Sequence, residues 1–436
     1  MRVMLLVSTF LILLSCQTKK DYSLEASDPE YLHRSLKELT DIIVYDIFSP
    51  PVASRIYAYS SIAAYEVIRN DYPEYKSLVG QLNDFESISP PDPKLEYCFP
   101  LAGIQAFITV GRALTFSENM MIDFTEEIHS EYKNTGMPRS VFDRSVEYGE
   151  KVAGDILAWA GQDNYKQTRT FPKFDIAEDP SRWLPTPPDY MDGIEPAWRA
   201  IRTFVLDSAQ QFIPPLPTEF DMTEGGPFYM ELLEVYDAVN NLNPEQREIA
   251  QFWDCNPYVS HHKGHAMFAT KKITPGGHWM GIAGIAAQTD SADIMRSSMT
   301  YAFTSIVLAD AFISCWDEKY RSNLIRPVTL IKNYIDEGWE PLLQTPPFPE
   351  YTSGHSVISG AAAIMLTHLY GDEFAFEDIV EIEFGLPMRK FDSFIEASEE
   401  AAISRLYGGI HYLPAIVNGV DQGRAVGRYI AGKLAF

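Results

Sequence analysis

The chain has 436 residues, 46% hydrophobic, 13% aromatic and 22% charged. That profile excludes an intrinsically disordered chain and calls for a large folded core. Thirty-five basic residues face sixty acidic ones, a net charge of −25 at pH 7. Such a surface repels nucleic acid and anionic membranes, so neither is an expected partner, and an anionic substrate needs a local cluster of Lys and Arg.

The first segment reads as an export signal. Met1-Arg2 precedes an apolar run from Val3 to Leu14, too short for a bilayer and right for the core of a signal peptide. It ends in Leu13-Leu14-Ser15-Cys16, which resembles a bacterial lipobox. The reading is a signal peptide over 1–15, lipidation at Cys16 and a polar tether over 16–25, with an ordinary signal peptide and a chance Cys as the alternative. The expected location is the cell envelope, on the outer membrane or the periplasmic face, with the lipid as the only membrane contact. With Cys16 so committed, Cys98, Cys255 and Cys315 supply no disulfide framework and no CxxC pair, and read as buried free thiols.

The body is predicted all-α. Helical apolar spacing runs over Leu32–Phe48, Val52–Ile68, Ile104–Ala113, Glu118–Lys133, Val141–Ala160 and Phe228–Val239. Asn243-Pro244-Glu245 is a helix start leading into Arg247–Trp253. One long amphipathic helix is expected over Ser291–Trp316, then helices over Ser356–Leu369 and Ala415–Leu434. Between Gly161 and Asp221 the pattern dissolves into Pro- and Trp-rich sequence, read as a covering loop or linker. The division expected is an N-terminal helical half with that loop, 26–220, packed on a helical domain over 221–436. No later segment has eighteen uninterrupted apolar residues, so the mature body is expected to be soluble.

Three segments concentrate cations and His at element ends. Lys319 closes the long helix and Arg326 follows seven positions later, two turns on if the helix persists. In Phe348-Pro349-Glu350-Tyr351-Thr352-Ser353-Gly354-His355 a proline loop gives way to an Ala-rich helix; Ser353 can cap it, and the free N–H groups favour an oxyanion. In Ser404-Arg405-Leu406-Tyr407-Gly408-Gly409-Ile410-His411 an Arg and a His flank a Gly pair. Each alone fits a surface charge, a cap or a core histidine. Together they make a set that would hold a tetrahedral or trigonal-bipyramidal oxyanion.

Lys319-x6-Arg326-Pro327, Ser353-Gly354-His355 and Ser404-Arg405-x5-His411 resemble, in order and spacing, the three-part signature of the vanadium-dependent haloperoxidase and type 2 phosphatidic-acid phosphatase superfamily. The resemblance implies that Lys319, Arg326, Ser353, Gly354 and Arg405 bind vanadate or phosphate. It implies that His411 bonds to vanadium or attacks phosphorus, and that His355 is the acid–base. Trp316 and Phe348 match aromatic halide-side positions. Two departures stand out. Thr352 replaces the usual Pro, and Ala415 stands where phosphatases carry an Asp orienting the nucleophilic His, with Asp254 or Asp310 as the candidate substitutes.

His261-His262-Lys263-Gly264-His265, with His278 following, is a weaker candidate for a metal site or pocket lining, with a solvated loop as the default. The resemblance therefore implies a haloperoxidase using vanadate, hydrogen peroxide and halide, with Lys319 polarising the bound peroxide and no haem required. The alternative is a soluble, vanadate-inhibited acid phosphatase that hydrolyses phosphomonoesters through a phosphohistidine at His411. A binding lipoprotein that keeps the fold without catalysis is the third reading.

Overall fold

The computed structural model describes residues 22–263 and 265–436; the signal peptide, Cys16 and most of the tether lie outside them. The helices in chain order are α1 (Glu30–Tyr45), α2 (Pro50–Ile68), α3 (Phe99–Leu114), α4 (Glu118–Asn134), α5 (Arg139–Ala160), α6 (Pro227–Asn240), α7 (Pro244–Phe252), α8 (Pro275–Thr289), α9 (Ile294–Ser322), α10 (Pro327–Tyr334), α11 (Gly354–Tyr370), α12 (Phe394–Tyr407) and α13 (Leu413–Lys433). Local chemistry starts many of them. Asn243 and Gln246 form a capping box before α7. Thr274, Asp293, Ser353 and Ser393 cap α8, α9, α11 and α12 with their side chains, and Pro at the first or second position pre-sets α2, α3, α6, α7, α8, α10 and α13.

In the N-terminal half α3 packs on α2 and α5; in the C-terminal half α11 packs on α13, α12 and α9. The halves meet along α2 and α9, and one apolar core runs from Ala26 to Leu434. By length and composition α9 could cross a membrane, but its apolar stretch is wholly buried inside this core. The tightest seam is α11 against α13. A Cβ at Gly423 would lie 2.1 Å from the Val357 carbonyl oxygen, so only glycine allows this approach.

The expected helices are all present, with ends displaced by a few residues, and α8, α10 and α12 are additional. Glycines at 276, 277, 281 and 284 obscure the periodicity of α8. The stretch from His261 to Lys263 is not a loop. It belongs to a hairpin, β1 (Val259–Lys263) with β2 (Ala266–Thr270), in register Val259↔Thr270 through Lys263↔Ala266. A second hairpin joins β3 (Phe376–Asp378) to β4 (Arg389–Phe391).

The Pro-rich segment before α6 holds only a helical turn at Tyr165–Thr168 and a 3-10 turn at Trp198–Ala200. It straps the C-terminal half. The Asp310 carboxylate accepts the amides of Phe204, Val205 and Leu206 at 2.6, 2.8 and 2.9 Å. The Ile194 amide donates to the Pro347 carbonyl at 2.9 Å.

Candidate active site

Lys319 and Arg326 do not share one helix, as an unbroken two-turn spacing would require. Helix α9 stops at Ser322 because Asn323 turns left-handed, with φ 49°, and Arg326 is the residue that starts α10. Both side chains nonetheless reach the same loop, 348–352. Lys319 Nζ donates to the carbonyls of Pro349, Glu350 and Thr352 at 3.1, 3.0 and 2.5 Å, which fixes the loop ahead of α11. Arg326 donates from Nε to the Phe348 carbonyl (2.9 Å) and from Nη1 to the Ile410 carbonyl (2.7 Å).

Ser353 begins α11: its amide donates to the Ala415 carbonyl at 3.0 Å, and its hydroxyl accepts from Ser356 Oγ at 2.8 Å. Position 415 therefore contributes its backbone. Gly354 keeps the floor open, since a Cβ there would reach 3.8 Å from Lys319 Cε and from the Trp316 ring. His355 follows in the first turn.

Helix α12 presents Arg405 near its end, and Gly409, at φ +74°, reverses the chain so that the Ile410 amide returns to the Arg405 carbonyl. That reversal aims His411 back at the cavity. Arg405 donates from Nε to Ser404 Oγ (2.9 Å) and from Nη2 to the Trp253 carbonyl (2.6 Å).

The carboxylate that orients His411 is Glu350, and the expectation of Asp254 or Asp310 is corrected. Glu350 Oε1 lies 2.7 Å from His411 Nδ1 and accepts the Tyr412 amide at 3.0 Å. Asp310 serves the strap, and Asp254, on the cavity wall, pairs with Lys272 at 2.8 Å. With Nδ1–H given to Glu350, His411 Nε2 keeps its lone pair toward the cavity, where Arg326 Nη1 stands at 3.1 Å.

Burial sets the electrostatics. Lys319, Arg326 and Arg405 are 0%, 0% and 1% exposed, and ions so placed need compensation. Burial pulls Lys319 down to about 7 and both arginines to about 10. Burial, then Arg326 and Lys319, hold His411 well below the ordinary histidine value; burial, then Arg405, do the same to His355. Both rings are neutral at pH 7. Burial raises Glu350 to about 8 against the pull of Arg326 and Lys319.

Two buried nitrogens aligned with this set, Arg326 Nη2 and His355 Nε2, have no hydrogen-bond partner among the described residues. Three buried cations, two unspent nitrogens, an imidazole lone pair and an open glycine fit a tetrahedral oxyanion such as vanadate or phosphate. The neighbouring cavity, about 180 Å³, is lined by Trp316, Phe348, Gly354, His355, Arg405 and His411, and by Met191 and Ile194 of the strap. The Trp316 and Phe348 rings stand 5.1 Å apart, and Lys319 Nζ lies 5.0 Å from the Phe348 ring centre. The structure thus brings together every residue the motifs singled out, and adds Glu350, Trp253 and the strap.

His261 is outside the site, 2.9 Å from Thr270 Oγ1 and against Phe268 on the hairpin, and His265 is exposed. His278, expected with them, is instead fully buried in α8.

The family model for the second helical-bundle domain of the vanadium chloroperoxidases matches residues 299–435. Among solved structures, a bacterial vanadium-dependent iodoperoxidase, described as the first of its kind, is 50% identical, covers 94% of this chain and 97% of its own, and superposes with a TM-score of 0.89. A bacterial vanadium-dependent chloroperoxidase shares the fold at 16% identity in its holo form (TM-score 0.68, covering 89% and 93%) and 15% in its apo form (0.66, covering 88% and 94%). No curated protein sequence matches.

Proposed function

Because the chain belongs to the vanadium-dependent haloperoxidase family, we propose that it oxidises iodide with hydrogen peroxide at a vanadate held by Lys319, Arg326, Ser353, Gly354, Arg405 and His411. The observation that carries this reading is the set of three buried cations around a neutral His411 whose lone pair is freed by Glu350. When bound, vanadate supplies Lewis-acid activation of peroxide toward halide without changing its own oxidation state.

The protein's own residues do the rest. Arg326 and Arg405 neutralise oxyanion charge, and the start of α11 adds the Gly354 amide and the Ser353 hydroxyl, the Ser353 amide being held by the Ala415 carbonyl. Lys319 reaches an oxyanion by releasing at least one of its three carbonyls. His355, neutral and with Nε2 unpartnered, takes a proton from incoming peroxide and returns it to departing water or hypohalous acid. Trp316, Phe348 and the strap exclude bulk water.

The halide assignment rests on the 50% identical iodoperoxidase and on the wall chemistry. An aromatic, proline-lined cavity desolvates a halide, and that costs least for large, weakly hydrated iodide. Assaying vanadate-loaded enzyme with iodide, bromide and chloride tests it: turnover of iodide alone, or strongly preferred, is expected, and equal turnover of chloride overturns it.

Glu350 favours one second reading. An oriented His411 is also what a phosphohistidine phosphatase needs, and phosphate would occupy the same cradle. On that reading phosphomonoester hydrolysis appears in vanadate-free enzyme and is inhibited by vanadate. We further propose export and anchoring through a lipidated Cys16, supported by the Leu-Leu-Ser-Cys sequence. A mature N-terminus without diacylglycerol at Cys16 in mass spectrometry would overturn this.

A further inference from the structure

Behind the cavity wall lies a second buried cluster that the oxyanion chemistry does not use. Cys255, from the connection after α7, lines the cavity with its thiol turned inward, 3.4 Å from His278 Nδ1. Glu381, ahead of the 3-10 turn at Ile382–Phe384, places Oε1 3.1 Å from the same nitrogen and 3.9 Å from Cys255 Sγ. One ligand atom from each residue thus lies within 4.8 Å of the others, and all three residues are buried. A tetrahedron built on zinc bonds of about 2.3 Å to sulfur and about 2.0 Å to nitrogen and oxygen has edges of roughly 3.3–3.6 Å, so the observed triangle is the right size. Two further observations point to a ligand. Glu381 Oε2 is buried without a partner among the described residues. The other ring nitrogen, His278 Nε2, lies 2.7 Å from Asp378 Oδ2, the carboxylate–histidine arrangement that orients a metal-bound imidazole.

We propose that Cys255, His278 and Glu381 bind a divalent ion of the zinc class, with water in the fourth position. Sulfur, nitrogen and one carboxylate oxygen suit zinc or cobalt and disfavour magnesium or calcium. Charge balances: a protonated His278, a neutral thiol and two carboxylates sum to −1. A divalent ion with thiolate, neutral imidazole and the same two carboxylates also sums to −1, after two protons leave. The site is separate from the oxyanion cradle and does not depend on what the cradle holds. It ties the connection after α7, helix α8 and the turn after β3 together. The Trp253 ring stacks on His278 at 4.7 Å, and the Trp253 carbonyl receives Arg405, so the ion acts as a positioning element for the cradle wall.

The test uses the tag-free full chain, chelator-washed and then dialysed against zinc or cobalt. Elemental analysis is expected to find one ion per chain. The cobalt form is expected to show intense tetrahedral visible bands and a near-ultraviolet thiolate-to-cobalt band. That band disappears in Cys255→Ser, Asp378→Asn binds about 10–100-fold more weakly, and His411→Ala and His261→Ala keep the full metal content. Absence of retained metal and of the thiolate band in the wild-type chain overturns the proposal, leaving a protonated His278 pinned between two carboxylates. Metal lost in His411→Ala or His261→Ala but kept in Cys255→Ser overturns it too. The wild-type cobalt spectrum decides the matter even if Cys255→Ser does not fold.

Discussion

At the scale of single residues, Glu350 carries most of what is new in the site. It stands 61 positions from His411, and only the fold joins them; in sequence it is one acidic residue in a proline loop, so no spacing rule could select it. The cations and histidines were legible because their separations within each motif survive in the linear chain. Glu350→Gln keeps the shape and removes the carboxyl group that holds His411 Nδ1. Vanadate affinity or turnover is expected to fall about 10–100-fold, measured by titrating vanadate-stripped enzyme. The same variant has a stability signature. Glu350 is raised in the fold from 4.5 to about 8, so its protonated form favours the folded state. That contribution is complete below 4.5 and is lost as pH rises through about 8. Melting temperatures of the vanadate-free wild type should therefore decline across this window more steeply than those of Glu350→Gln; parallel curves would contradict the assignment.

At the scale of elements, the loop-to-helix start at Ser353 depends on the seam between α11 and α13. A Cβ at position 423 would meet the Val357 carbonyl oxygen at 2.1 Å and force the helices apart beneath Ser353. Gly423→Ala is expected to cost about 1–3 kcal/mol in denaturant unfolding and to weaken oxyanion binding as well, because the Ser353 amide is anchored on the Ala415 carbonyl of α13. Asp310 anchors the strap at Phe204–Leu206, while Ile194 is held separately by Pro347, Trp316 and Tyr320. Asp310→Ala strands three buried amides, at about 1–3 kcal/mol each, and should lower the melting temperature sharply. Most helices could be read from apolar periodicity. Helix α8 could not, because four glycines replace the side chains that would mark its buried face. The hairpin at 259–270 was hidden by its histidines, which read as solvated loop although Gly264-His265 is a two-residue hairpin signal.

At the scale of the molecule, a chain of net charge −25 must draw a halide into a cavity lined by the buried Arg405 and backed by Lys319 and Arg326. The global field opposes approach and the local one favours it. Salt screens the exposed, long-range part much more than the buried part. Halide kcat/KM is therefore expected to rise with ionic strength of an inert salt before levelling, and a steady fall would show that surface cations steer the substrate instead.

On the proposed reading, one buried cradle closed by His411 makes the chain a vanadate-dependent halide oxidase. The most direct measurement is peroxide-dependent iodide oxidation by the chain from Gln17 onward, stripped of vanadate and then reloaded, beside His411→Ala. Activity is expected to appear only on vanadate addition in the wild type and to fall at least about a thousandfold in the variant, a loss of about 4 kcal/mol. Iodide oxidation that persists without vanadate or survives in His411→Ala would contradict it, as would phosphomonoester hydrolysis inhibited by vanadate in an enzyme that oxidises no halide.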